Sequence, residues 1–325
     1  MSFDSDTLPF LPPHYLRPAM AQTILASQKF RKSGSHAMES CAEDIILECR
    51  DGVRLKGALS RAPNSRGLMI ALHGWEGSQD STYVISHARY LFERGYSIFR
   101  LNYRDHGDTH HLNEDLFHSA RFNEVFDAVK GAVDLANGHP VFIVGFSLGG
   151  NFALRIARQS IIEPIKGLAH IFAISPVINP VTAAPIVDIN PLIRRYFLKK
   201  WTTSLTKKQA AFPALYDFGD LKRFKTVNAL SAHFIPKFSP YENDTAYFEA
   251  YRIWPDDLTM CDVPLDIIMA QDDPVLPAAD VLGLKLAPKT RLHYLAHGGH
   301  NGFFNSLRGP TWYDQHIQRV LGDMT

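Results

Sequence analysis

Ser147 stands in Gly145-Phe146-Ser147-Leu148-Gly149, directly after the apolar run 140–144 and directly before a helix-like segment, 148–154. A serine hydroxyl is a poor nucleophile near neutral pH. It needs a base to take its proton, and the base needs an orienting carboxylate. A sharp strand-to-helix turn would hold such a serine above a sheet. Glycines two residues to either side are then required, because a side chain there would meet neighbouring backbone. The free N–H groups of the helix N-terminus would point at any anion formed at the hydroxyl. The same five residues also fit a serine that only caps a helix, so other parts of the chain must decide.

Two later loops carry the partners. Gln271-Asp272-Asp273-Pro274 follows the predicted strand 264–270, and His297-Gly298-Gly299-His300 follows the predicted strand 291–295. The order serine, aspartate, histidine, each at the end of a predicted strand, predicts all three on the C-terminal edge of one sheet. Asp273 is the preferred acid, from its spacing between Ala270 and Pro277, with Asp272 as the alternative. His300 is the expected base, with His297 as the alternative.

A tetrahedral acyl intermediate needs two N–H groups aimed at its oxygen. Leu148 supplies one, and Trp75 in His73-Gly74-Trp75-Glu76-Gly77, after the run 67–72, is expected to supply the other. This chemistry is acyl transfer through an acyl-enzyme, and it needs no cofactor. Residues 104–111 (Arg-Asp-His-Gly-Asp-Thr-His-His) invite a metal reading, but their spacing matches no standard zinc pattern. No metal is expected.

The elements that must position these groups are legible as alternating runs. Asp51-Gly52 between 45–49 and 53–59 is a hairpin signal. Strands are predicted at 67–72, 97–101, 140–144, 167–174, 264–270 and 291–295. Helices are predicted at 83–94, 119–136, 148–159, 278–286 and 311–321. Apolar strands alternating with helices predict an α/β fold with a mostly parallel sheet covered on both faces. Residues 1–40, with prolines at 9, 12, 13 and 18, read as an irregular arm, and 41–175 with 262–325 as the core. The aromatic-rich stretch 176–261 shows no buried strand and reads as a mostly helical cap.

Composition bounds the rest. The chain has 325 residues, a net charge of +1, and 46% hydrophobic and 21% charged residues, as an ordinary globular protein does. Near-neutral charge gives no case for nucleic acid. Three cysteines without metal-site spacing favour a reducing compartment. The acidic start Met1–Asp6 lacks a signal-peptide pattern, so the expected location is cytoplasmic. Basic residues at 194, 195, 199, 200, 207 and 208 surround Leu192, Phe197 and Trp201. They leave open a weak contact of the cap with a membrane surface.

With these motifs the chain resembles the α/β-hydrolase superfamily, and more narrowly its YheT-like branch. That branch groups bacterial YheT-type hydrolases with eukaryotic lipid esterases and medium-chain ester hydrolase/synthase enzymes. The arm Phe10-Leu11-Pro12-Pro13 with Gln22-Thr23, the loop His73–Ser78, the turn Gly145–Asn151, Asp272-Asp273-Pro274 and Gly298-Gly299-His300 carry the likeness. It implies a Ser147-Asp273-His300 triad, carboxylic-ester hydrolysis of hydrophobic acyl esters and a place in lipid metabolism. Transfer of the acyl group to an alcohol by the same triad is the alternative, and a non-catalytic ligand-binding fold the remaining one. Trp75 departs from the branch, which carries leucine there, as does Ala21, where it carries histidine.

Overall fold

The apolar runs form one eight-stranded sheet, in a computed structural model that describes residues 9–322. The acidic start at 1–6 lies outside those residues. Helices α1 (Ala19–Ala26) and α2 (Ala37–Ser40) precede the hairpin of β1 (Glu43–Glu48) and β2 (Arg54–Ser60). Asp51 and Gly52 turn that hairpin with φ of 58° and 70°. Then β3 (Leu68–Leu72), α3 (Thr82–Phe92), β4 (Ser97–Leu101), α4 (Phe122–Ala132), β5 (Val141–Phe146), α5 (Leu148–Gln159) and β6 (Leu168–Ile174) alternate. Four helices follow without a strand: α6 (Pro180–Ile189), α7 (Pro191–Ala211), α8 (Val227–Phe238) and α9 (Asp244–Glu249). β7 (Leu265–Ala270), β8 (Thr290–Leu295) and α10 (Trp312–Gly322) complete the fold.

The sheet order is β1-β2-β4-β3-β5-β6-β7-β8. Only β2 runs antiparallel to its neighbours; from β4 to β8 every pairing is parallel. All residues of β3, β4, β5 and β7 are buried, as central strands covered on two faces must be. α4 and α5 pack one face, α3 and α10 the other. This architecture brings the C-terminal ends of β3, β5, β7 and β8 to one edge.

Three local expectations shift. The helix read at 119–136 starts only at Phe122. Tertiary bonds claim the preceding backbone: Ser119 N–H donates to Tyr247 Oη, and Arg155 takes the Ser119 carbonyl. The helix read at 278–286 is a 3-10 segment, Ala278–Gly283, too short before its glycine to propagate as an α-helix. The arm read as irregular contains α1, whose Gln22 is fully buried.

The four helices between β6 and β7 lie over the site edge. Asn179 and Asn190 cap α6 and α7, each followed by proline at the first helical position, which has no N–H to leave unsatisfied. Leu205, Phe218, Leu230 and Phe234 give this layer its own small core with Leu116. Among the described residues, no helix is long and apolar enough to cross a membrane.

Candidate active site

β5 ends at Phe146 and α5 begins at Leu148, leaving one residue for the turn. That residue, Ser147, has φ 57° and ψ −113°, a strained conformation for a side chain with a Cβ. The flanking glycines are obligatory. A Cβ on Gly145 would sit 2.1 Å from the Gly149 carbonyl oxygen, and one on Gly149 2.1 Å from that of Leu72.

His300 Nε2 lies 2.9 Å from Ser147 Oγ, and His300 Nδ1 lies 2.8 Å from Asp273 Oδ2. The second distance assigns the Nδ1 proton to the carboxylate side and leaves Nε2 to accept from the serine. Asp273 Oδ1 accepts from Val275 N–H and Leu276 N–H, so the carboxylate is held on both oxygens. Asp272 does different work. Its Oδ1 accepts the Gly299 N–H at 2.8 Å, bracing the loop that carries His300. His297 Nδ1 stands 3.6 Å from Asp272 and not against Ser147. Burial pushes the Asp272 carboxyl above its ordinary range, against the pull of the Gly299 N–H.

The loop after β3 is tightly pinned. Tyr83 Oη accepts Gly74 N–H, the His73 imidazole bonds the Gly74 carbonyl, Gly77 N–H donates to Gly74 O, and His106 Nε2 accepts Glu76 N–H. A Cβ on Gly74 would lie 3.2 Å from Ser147 Cβ, so this loop abuts the serine. Trp75 N–H has no acceptor among the described residues, and Leu148 N–H belongs to the first turn of α5, which has no intrahelical acceptors. Leu148 thus follows Ser147 directly, and the loop of Trp75 abuts it. Burial lowers His106 to about 4, which keeps it a neutral acceptor for Glu76 N–H.

A cavity of about 150 Å³ opens above Ser147, between the sheet edge and the cap. Its wall is largely apolar, with Trp75, Phe197, Trp201, Phe234 and Leu276 among the lining residues. Trp75 stacks on Phe197 at 5.2 Å and meets Trp201 edge-on at 5.3 Å, locking the loop beside Ser147 to α7. A leucine at that position would offer no such stack.

The segment 104–111 is structural in its contacts. Arg104 pairs with Glu124, Asp105 with Lys208, and His110 with Ser204. Lys208, fully buried, also donates to the Asn113 and Asp115 carbonyls. This cluster fastens α7 to the loop after β4. Among the described residues, the one grouping with metal-ligand proximity is elsewhere, at Asp266, His293 and His316.

Three contributors went unread in the sequence. Gln22 donates to the Leu16 and Phe304 carbonyls and accepts Phe304 N–H. Thr23 Oγ1 accepts His300 N–H at 2.9 Å. Asn151 Nδ2 ties α5 to the Val177 and Tyr251 carbonyls. Their only sequence signal was the motif likeness; nothing local announces partners that lie tens to hundreds of residues away.

The sequence pattern of the alpha/beta hydrolase fold family matches residues 67–307. The chain belongs to that family. A presumed esterase of Synechocystis sp. is 28% identical over 153 residues, covering 45% of this α/β hydrolase and 41% of that protein. The chain thus spans about two fifths of that relative's length. Among solved structures, an esterase of Pyrococcus furiosus superposes with a TM-score of 0.57 at 16% identity, covering 89% of this chain and 96% of that one. An esterase of Rhodococcus sp. does so with 0.53 at 14% identity, covering 88% and 100%. At such identities the likeness is one of fold.

Proposed function

We propose that this α/β hydrolase is a serine carboxylic-ester hydrolase acting on hydrophobic acyl esters. The observation that carries the reading is the bonded series Ser147 Oγ–His300 Nε2–His300 Nδ1–Asp273 Oδ2, at a strained turn beneath an apolar cavity. In this reading His300 takes the Ser147 proton as Oγ attacks the ester carbonyl. Leu148 N–H and Trp75 N–H hold the oxyanion. The intermediate collapses, His300 returns the proton to the leaving alcohol, and an acyl-Ser147 ester remains. Water then adds by the same steps in reverse order, releasing the acid.

An engineered cavity of the same size in another protein takes up benzene, so about six carbons of acyl chain fit without moving the cap. The test is hydrolysis of p-nitrophenyl esters from acetate to palmitate by wild type and Ser147→Ala, with fluorophosphonate labelling of Ser147. The expected profile peaks at short to medium chains and vanishes in Ser147→Ala. Equal rates for the two proteins would remove Ser147 as nucleophile.

The apolar, cap-covered wall also supports alcoholysis of the acyl-enzyme, which the ester-to-acid product ratio with added alcohol measures. The Gln22-Thr23 link to the His300 loop supports a place in the YheT-like branch, whose opening ends in the same pair. Finally, the outer stripe of α7 exposes Leu192 and Tyr196 beside Arg195 and Lys199. We read it as the face that meets an anionic lipid surface, each near-surface cation contributing about 1 kcal/mol. Failure to sediment with phosphatidylglycerol vesicles would rule that contact out.

A further inference from the structure

Glu76 is out of place in the wall just described. It follows Trp75 directly, has φ 54°, and lines the cavity with Ser147. Its backbone N–H is taken by His106, but its carboxyl has no hydrogen bond or ion pair among the described residues. The nearest charges it senses are Lys200 of α7 and Asp105. Asp105 is already committed to Lys208, Ser204 bonds the Asp105 carbonyl, and His106 is held by Arg104 O and Glu76 N. Asp105, Ser204 and His106 are thus spent, and Lys200 forms no ion pair with Glu76 among the described residues, so the Glu76 carboxyl faces the cavity unpaired.

Burial pushes this carboxyl up to about 8, with Lys200 opposing. At neutral pH it is a neutral acid, with one O–H to donate and a carbonyl oxygen to accept. A hydroxyl on a substrate matches both roles at once.

We propose that Glu76 is a specificity-determining residue whose carboxyl hydrogen-bonds a hydroxyl on the substrate. The substrate class is then a hydroxylated ester, of a polyol or of a hydroxy acid, and not a simple alkyl ester. This rests on the esterase reading above. A site built to bond a hydroxyl discriminates against the analogue that lacks it, because the polar group of the site is then left unpaired.

The test compares kcat/KM at pH 7 for two matched pairs that exchange a hydroxyl for a methyl. They are 2-hydroxyethyl hexanoate against propyl hexanoate, and ethyl 6-hydroxyhexanoate against ethyl heptanoate. Wild type is expected to favour the hydroxylated member of at least one pair by tenfold or more. That ratio needs no variant and so does not depend on a variant's folding. Glu76→Leu should erase the ratio, losing about tenfold more on the hydroxylated ester than on its partner. Glu76→Gln, which keeps the shape and both hydrogen-bonding roles, should retain it. Wild-type ratios near one in both pairs overturn the proposal while leaving the esterase standing. So does a stronger preference for hexanoylcholine, which would mark Glu76 as a charged partner of a cation. Absence of hydrolysis of every ester, with Ser147 unlabelled, overturns the esterase reading and this proposal together.

Discussion

The backbone N–H of His300 donates to Thr23 Oγ1 at 2.9 Å, joining residues 277 apart in the chain. Thr23 Oγ1 in turn donates to the Ala19 carbonyl within α1. One residue away, Gln22 clamps both backbone groups of Phe304. The loop carrying the proposed base is therefore seated on the N-terminal arm. Gly299, with φ 53°, allows this approach, since a Cβ there would come within 2.3 Å of the Ala19 carbonyl oxygen.

Thr23→Val should leave the fold intact but let His300 drift. The expected result is a fall of about tenfold in kcat, worth ~1.4 kcal/mol of barrier, with little change in KM. Thr23→Ser restores the acceptor and should restore kcat. Loss of KM in place of kcat would place the arm at the substrate and not at the base.

The two neighbouring aspartates separate by partner. Asp273→Asn should reduce kcat by about 10⁴, as loss of the orienting carboxylate does in other serine triads. Asp272→Asn loses only the charge of the acceptor for Gly299 N–H and should cost far less. The reverse ranking in esterase kinetics would transfer the acid role to Asp272.

Lys208 and Asp105 form a buried pair at 2.8 Å between the cap and the loop after β4. Burial pushes Asp105 up and Lys208 down, and each is opposed chiefly by the charge of the other. Lys208→Met strands a buried carboxylate and should destabilise by about 3–5 kcal/mol. The double variant with Asp105→Asn should recover part of that loss. Denaturant melts of the single and double variants measure the difference.

Acid should loosen the same region. Burial lowers His106, His110 and His118 to about 4, 3 and 3, from an ordinary value of 6.5. Groups depressed in the fold contribute stability that is complete above pH 6.5 and declines as pH falls toward those values. At pH 5 the loss is at most about 2 kcal/mol per histidine. Glu76, raised to about 8, acts in the opposite sense between its ordinary 4.5 and 8, as Asp105 and Asp272 do above their ordinary range, while His73 and His316, also lowered by burial, act with the three histidines. Thermal midpoints should therefore fall between pH 6.5 and 5, and His110→Asn should flatten that fall. An unchanged slope in the variant would remove His110 from the account.

Much was determined by the sequence alone. Three strand-like runs, each followed by a chemically capable loop, place Ser147, Asp273 and His300 at strand ends in a fixed order. Steric necessity at Gly145 and Gly149 makes the turn readable from five residues, because the clash is local. What lay beyond local reach needed the tertiary structure. Asp272 and Asp273 differ by one position, and only the loop's course decides which meets His300 and which braces Gly299. Glu76 reads as one more polar loop residue until the cap helix closes over it and its neighbours pair with others. Gln22 and Thr23 sit in a proline-rich arm with no pattern of their own. Their bonds to Phe304 and His300 form only because the fold returns the His300 loop to α1, a long-range contact that periodicity cannot encode.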